Sequence, residues 1–236
     1  MKASRKLNLY LIIGTVLFFG CGEKYESGPL VADDTPPPPV TDVTIRNTPG
    51  GAIINYSIPD TEDLILVEAS FVRNEEVVTT RSSIFNNELE IEGLISTEPQ
   101  EVTLVAVDRS NNRSTPVTVN ITPEQAPLIN LFDSFSLESD FGGIRLNYDN
   151  GEAITTEMLL YTRDNSGNWT YDQSAFVINS ESKKVTFRTF PPEAQEFYVI
   201  AIDRWNNVTP RLTATITPFE ELRIDRLNFS PINLIG

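Results

Sequence analysis

Histidine is absent from all 236 residues, and cysteine occurs once, at Cys21. Without imidazole there is no His-assisted serine or cysteine nucleophile, and most zinc, copper and haem ligation loses its usual donors. A single thiol cannot close an internal disulfide, so stability must come from packed cores. Positive charge is also scarce: 18 Lys+Arg stand against 33 Asp+Glu, a formal net charge of −15. Acidity of this order repels nucleic acid and anionic headgroups, which excludes both as partners. No window shows a sustained helical period.

What is present begins with an export signal. Lys2, Arg5 and Lys6 form a positive start, and Leu7 to Gly20 then run almost without polar residues. That run is shorter than the roughly 20 residues a bilayer core requires, but it fits the apolar part of a signal peptide. It ends on Gly20 and Cys21, a small residue before the cysteine that would carry a lipid, although Phe18 stands where leucine is usual. Residues 1–20 therefore read as a lipoprotein signal and Cys21 as the lipidation site. Residues 21–39 read as a tether, polar and acidic and closing on Pro36–Pro39, a stiff polyproline spacer. A free cysteine ending a core helix is the plain alternative, but the solvated spacer leaves such a helix nothing to pack against. An uncleaved single-span anchor ranks next. Cleavage leaves 15 basic against 33 acidic residues, a net charge of −18.

Beyond the tether the chain repeats itself. Gly50-Gly51 through Asn55-Tyr56 recurs as Gly142-Gly143 through Asn147-Tyr148. Val102 through Asn112 recurs as Phe197 through Asn207, and Ile121-Thr122-Pro123 recurs as Ile216-Thr217-Pro218. Matched blocks in one order at nearly constant offset indicate duplication, with modules over 40–124 and 125–218 and an extension over 219–236. Each copy holds seven short runs of strand character broken by turn residues. Strands are predicted near 41–47, 51–58, 64–73, 76–82, 88–93, 101–108 and 115–121, then near 130–138, 143–149, 156–163, 169–177, 183–190, 196–203 and 211–217. Asp164 to Asn168 reads as a hairpin turn. The fold class is all-β: two tandem seven-stranded immunoglobulin-like sandwiches without the immunoglobulin disulfide.

The run from Leu94 to Asn112 resembles the last strands and loop of a fibronectin type III module, and Phe190 to Asn207 is similar. Pro49 to Tyr56 and Ala106 to Asn112, placed after a lipid-bearing cysteine and a Pro-rich spacer, resemble a Bacteroidota family of outer-membrane lipoproteins with tandem fibronectin-III-like domains of uncharacterised function. The resemblance implies a lipid-anchored place at the outer membrane, facing the exterior, among proteins that capture and import glycans. Possible partners are then a polysaccharide and the proteins of an import complex. Family members commonly continue into a discoidin-like domain thought to bind the glycan. Here the sequence stops at Gly236, so residues 219–236 read as a short extension or as the stub of that domain.

Several residues invite a functional reading. Asp108 to Asn112 and Asp203 to Asn207 place an acid and two amides within five residues, oxygen ligands that would suit calcium. A turn in which Asp caps its own backbone and Asn takes a left-handed conformation is the better reading, because a calcium loop gathers more carboxylates. No metal and no cofactor is expected. Trp205 stands at a loop tip where the first copy has Ser110, so the shared fold does not require it. With Trp169, Tyr171 and Tyr161 it is a candidate for stacking on a sugar face. The plain alternatives are cross-strand pairing for Trp169, Tyr171 and Tyr161, and a cap over the C-terminal segment for Trp205. Both tryptophans exposed on one face would favour glycan binding, and both buried would favour a spacer. Scattered carboxylates with no cleft to shift them argue against glycosidase chemistry, so no catalytic residue is assigned. The sequons at Asn168, Asn207 and Asn228 carry no weight in a bacterial lipoprotein. The reading is a non-enzymatic surface lipoprotein assisting polysaccharide binding or presentation. The alternative is a structural spacer or protein-interaction module without a ligand of its own.

Overall fold

A computed structural model describes residues 34–178 and 183–221. Cys21, the signal segment, residues 21–33 of the tether and residues 222–236 of the extension lie outside the described residues. Within them the chain is all-β apart from one short helix. The first sandwich contains β1 (Thr41–Thr48), β2 (Gly51–Ser57), β3 (Leu64–Arg73), β4 (Glu76–Ser83), β5 (Glu88–Ile91), β6 (Gln100–Asp108) and β7 (Val117–Ile121). The second contains α1 (Pro127–Asp133), β8 (Ser136–Asp140), β9 (Gly143–Asn147), β10 (Thr156–Arg163), β11 (Trp169–Val177), β12 (Lys184–Arg188), β13 (Gln195–Asp203) and β14 (Leu212–Ile216).

The sheets of the two modules have the same order. A three-stranded sheet β1-β2-β5 faces a four-stranded sheet β4-β3-β6-β7, and β8-β9-β12 faces β11-β10-β13-β14. All strand pairs are antiparallel. This is the tandem fibronectin-III-like arrangement expected from the resemblance. Period-two alternation builds the cores: Val102, Leu104 and Ala106 of β6 point inward, as do Phe197, Val199 and Ala201 of β13. They meet Ala52 and Ile54 across the first sandwich and Ile144 and Leu146 across the second.

One predicted strand is corrected. Residues 130–138 are not a single strand: Pro127–Asp133 form a two-turn helix and the strand begins at Ser136. Pro127 opens the helix, where its missing N–H costs nothing and its fixed φ is already helical. Leu128 and Leu131, three apart, then fall on one face and enter the second core. Two turns are too few to show a helical period in sequence.

Backbone hydrogen bonds fix the end of module 1 where the chain passes into module 2. The Pro49–Gly50 turn holds the connecting residue Glu124: Gly50 N–H donates to Glu124 O (3.0 Å), and Glu124 N–H donates to Thr48 O (3.1 Å). Ile95 of module 1 packs against the core of module 2.

Candidate functional site

Three loops share one construction. In Asp108–Asn112, Asp108 Oδ1 accepts from the N–H groups of Ser110 and Asn112, each at 2.8 Å, while Oδ2 accepts from Asn112 Nδ2 at 2.9 Å. Asp203 does the same with Trp205 N–H, Asn207 N–H and Asn207 Nδ2. Asp164 repeats it with Ser166, Asn168 and the Asn168 amide. The fourth residue of each loop is left-handed: Asn111 at φ 65°, Asn206 at 62° and Gly167 at 81°. Asn and Gly are the residues that occupy this region at least cost. The carboxylates therefore serve as internal caps, and among the described residues no group of three or more His, Cys, Asp or Glu could hold a metal ion.

The four aromatic candidates do not form one surface. Trp205 lies at the joint between modules, with its ring against Gly93. A Cβ on Gly93, which has φ +77°, would sit 2.6 Å from the ring. Around it Asn74 Nδ2 donates to Trp205 O (3.0 Å), Asn207 Nδ2 donates to Gly93 O (3.0 Å) and Arg204 pairs with Glu92 (3.0 Å). Arg204 also lies over the indole at 4.1 Å. The ring caps module 1 at Gly93; most of the C-terminal segment, residues 222–236, lies outside the described residues.

The other three meet on the outer face of β11-β10-β13-β14. Tyr161 pairs in register with Tyr171 on one side and Tyr198 on the other. Tyr161 stacks on Tyr198 at 4.5 Å and 12°, Tyr171 meets Tyr161 edge-on at 5.9 Å, and Trp169 meets Tyr198 edge-on at 4.7 Å. Arg163 covers Trp169 at 4.0 Å and Arg211 covers Tyr198 at 4.6 Å. Burial pushes the Tyr198 phenol upward against the opposing charge of Arg211. Tyr198 is 4% exposed and Tyr171 52%, with Tyr161 and Trp169 between. Cross-strand pairing thus occupies much of the ring surface, and Tyr171 is the open member. Five residue steps of β13, about 17 Å, separate Tyr198 from Asp203, where the turn that carries Trp205 begins. The two tryptophans therefore lie at opposite ends of the module, both half-buried.

Tyr198, Arg163 and Arg211 were not singled out in the sequence. A signal existed for Tyr198: the matched blocks place it opposite Thr103, a small residue exchanged for a ring. Away from the aromatic face, an open groove of 260 Å³ lies between α1 and the Asp149–Glu152 loop, and one of 90 Å³ lies beside Gly93 and Leu94. Glu68, Asp140 and Asp164 all have a lowered carboxyl pKa. At Glu68, burial pushes it up, but hydrogen bonds from Arg81 and Arg113 outweigh that. A general acid requires the opposite shift.

Two family models match in tandem, each described as a domain of unknown function: DUF4959 over residues 37–123 and DUF5126 over residues 124–227. Neither description carries an activity. No curated protein matches the chain. Among solved structures, a SusE-like protein is 21% identical over 38% of this chain and 30% of its own, with a TM-score of 0.32. The chain thus spans less than a third of that protein. Domains FN1–FN3 of chicken CNTN1 match at 14% identity over 79% of this chain and 68% of theirs, TM-score 0.36. A two-domain fibronectin type III segment of chicken tenascin matches at 10% over 76% and 99%, TM-score 0.33. Among the described residues no helix is long and apolar enough to cross a membrane.

Proposed function

We propose that the chain is a non-enzymatic lipoprotein, anchored through Cys21 to a bacterial outer membrane and facing outward, that assists polysaccharide binding or presentation beside a glycan-import system. The observation that carries this reading is the row of rings on the outer face of module 2, where Tyr171 stays 52% exposed beside Tyr161, Tyr198 and Trp169, and the joint between the modules gives that face a fixed place. Trp205 on Gly93, with three polar contacts around it, makes the two sandwiches one arm that holds module 2 at a set distance from the tether. The sequence resemblance supports the setting, and the lowered carboxyl groups give no support to acid catalysis. Affinity electrophoresis of the mature chain through gels containing a panel of polysaccharides tests the reading, with retardation expected for at least one. A spacer or protein-interaction module is the second reading, favoured by the use of Trp205 inside the chain. It predicts no retardation by any polysaccharide and recovery of a partner protein on crosslinking in intact cells.

A further inference from the structure

The duplication supplies an internal control for the aromatic face. Register places Thr79, Ser70, Thr103 and Thr118 in one row across β4-β3-β6-β7. The counterpart row across β11-β10-β13-β14 is Tyr171, Tyr161, Tyr198 and Thr213. In the first row the Ser70 and Thr79 hydroxyls are hydrogen-bonded at 3.0 Å. Beside that row Glu68 bonds Arg81 and Arg113. At the matching positions module 2 has Leu159, paired with Ser174 and beside Ile200, and Val208. One fold therefore closes equally well with a hydroxyl row and with a tyrosine row. The rings are not demanded by the sheet, and rings on an outer face point to something that covers them. Phe176 and Ile178, 68% and 69% exposed, continue the same face.

Size and charge decide what covers it. Three strand spacings and the nine residue steps from Trp169 to Ile178 make the face about 14 Å by 30 Å, roughly 400 Å². A stable protein interface buries about 800 Å² per partner, so the face is small for one. Arg163 is committed to Trp169 and to Glu196, at 2.9 Å, and Arg211 to Tyr198. The net charge of −15 repels a polyanion. What fits is an uncharged ligand with apolar C–H faces and hydroxyls, matched by rings that carry both.

We propose that this face of module 2 binds a neutral polysaccharide, laid across the strands over Tyr171 and Trp169, with Tyr161 and Tyr198 as supporting rings. The proposal rests on the polysaccharide reading above and adds a site and a ligand class to it. The test is affinity electrophoresis of the mature full chain in starch, xylan, mannan and, as the charged case, alginate. Wild type is compared with Tyr171→Ala, Trp169→Phe and, in the counterpart row, Thr79→Ala. Thermal midpoints confirm that each variant is folded. The expected result is retardation in at least one neutral gel, weakened at least tenfold by Tyr171→Ala, reduced by Trp169→Phe and unchanged by Thr79→Ala. Retardation in alginate alone, or neutral retardation that survives both aromatic substitutions, overturns the site while leaving the broader reading standing. Absence of retardation in every gel overturns both.

Discussion

Gly93→Ala places one methyl group where the joint has no room for it. Two costs follow. At φ +77° an L side chain costs about 1–2 kcal/mol. The new Cβ would also lie 2.6 Å from the Trp205 ring, which must move. Full burial of a large aromatic contributes about 3–5 kcal/mol by truncation, so a half-buried Trp205 contributes about 2. Gly93→Ala should therefore destabilise by about 3–4 kcal/mol and Trp205→Ala by about 2. If both act on the same contact, the double variant costs no more than about 4 kcal/mol, where independent effects would sum to about 5–6. Urea unfolding followed by far-UV circular dichroism measures all four corners of the cycle, since removing Trp205 also removes one of the chain's two tryptophans as a fluorescence probe. Additive costs would refute the contact between Gly93 and Trp205 as the source of the coupling.

Module 2 carries Leu159 where module 1 carries Glu68, so Glu68→Leu should change stability by less than about 1 kcal/mol in urea titrations, because the Arg81 and Arg113 side chains left behind are 61% and 50% exposed and return to water, as in a surface ion pair. The Glu68 carboxyl is held below its ordinary range, so its contribution is present above the unfolded value, about 4.3, and is lost as pH falls through the lower folded value. Calorimetric midpoints should accordingly fall more steeply below pH 5 for wild type than for Glu68→Leu, and parallel curves would contradict the assignment. Asp203→Ala orphans the N–H groups of Trp205 and Asn207 and should cost about 1–3 kcal/mol for each donor left dry, whereas Asp203→Asn keeps an acceptor and costs less by the same titration. Because the three loop carboxylates are already filled by their own backbone, millimolar calcium should leave the thermal midpoint unmoved, and a rise of several degrees would restore the ion-site reading.

The strands were legible because alternation and turn residues are local signals. Val102, Leu104 and Ala106 announce β6 without any partner, and the register of the two copies follows from duplication. The Asp–Asn loops were legible as turns for the same reason. What escaped depended on contacts between residues far apart. The α1 helix is set by docking of Leu128 and Leu131, not by a period long enough to read. The position of Trp205 is fixed by Gly93, more than a hundred residues earlier, and nothing local marks that glycine as its seat. The aromatic row needed register: Tyr161, Tyr171 and Tyr198 are scattered in sequence and become neighbours only when β11, β10 and β13 pair.

The central claim is that the joint makes one arm of two sandwiches, and small-angle X-ray scattering of the mature chain, with Cys21→Ser to remove the lipid, tests it most directly. The account predicts a profile fitted by a single arrangement of the two modules, broadening toward many arrangements in Gly93→Ala. A wild-type profile that already requires many arrangements would contradict it.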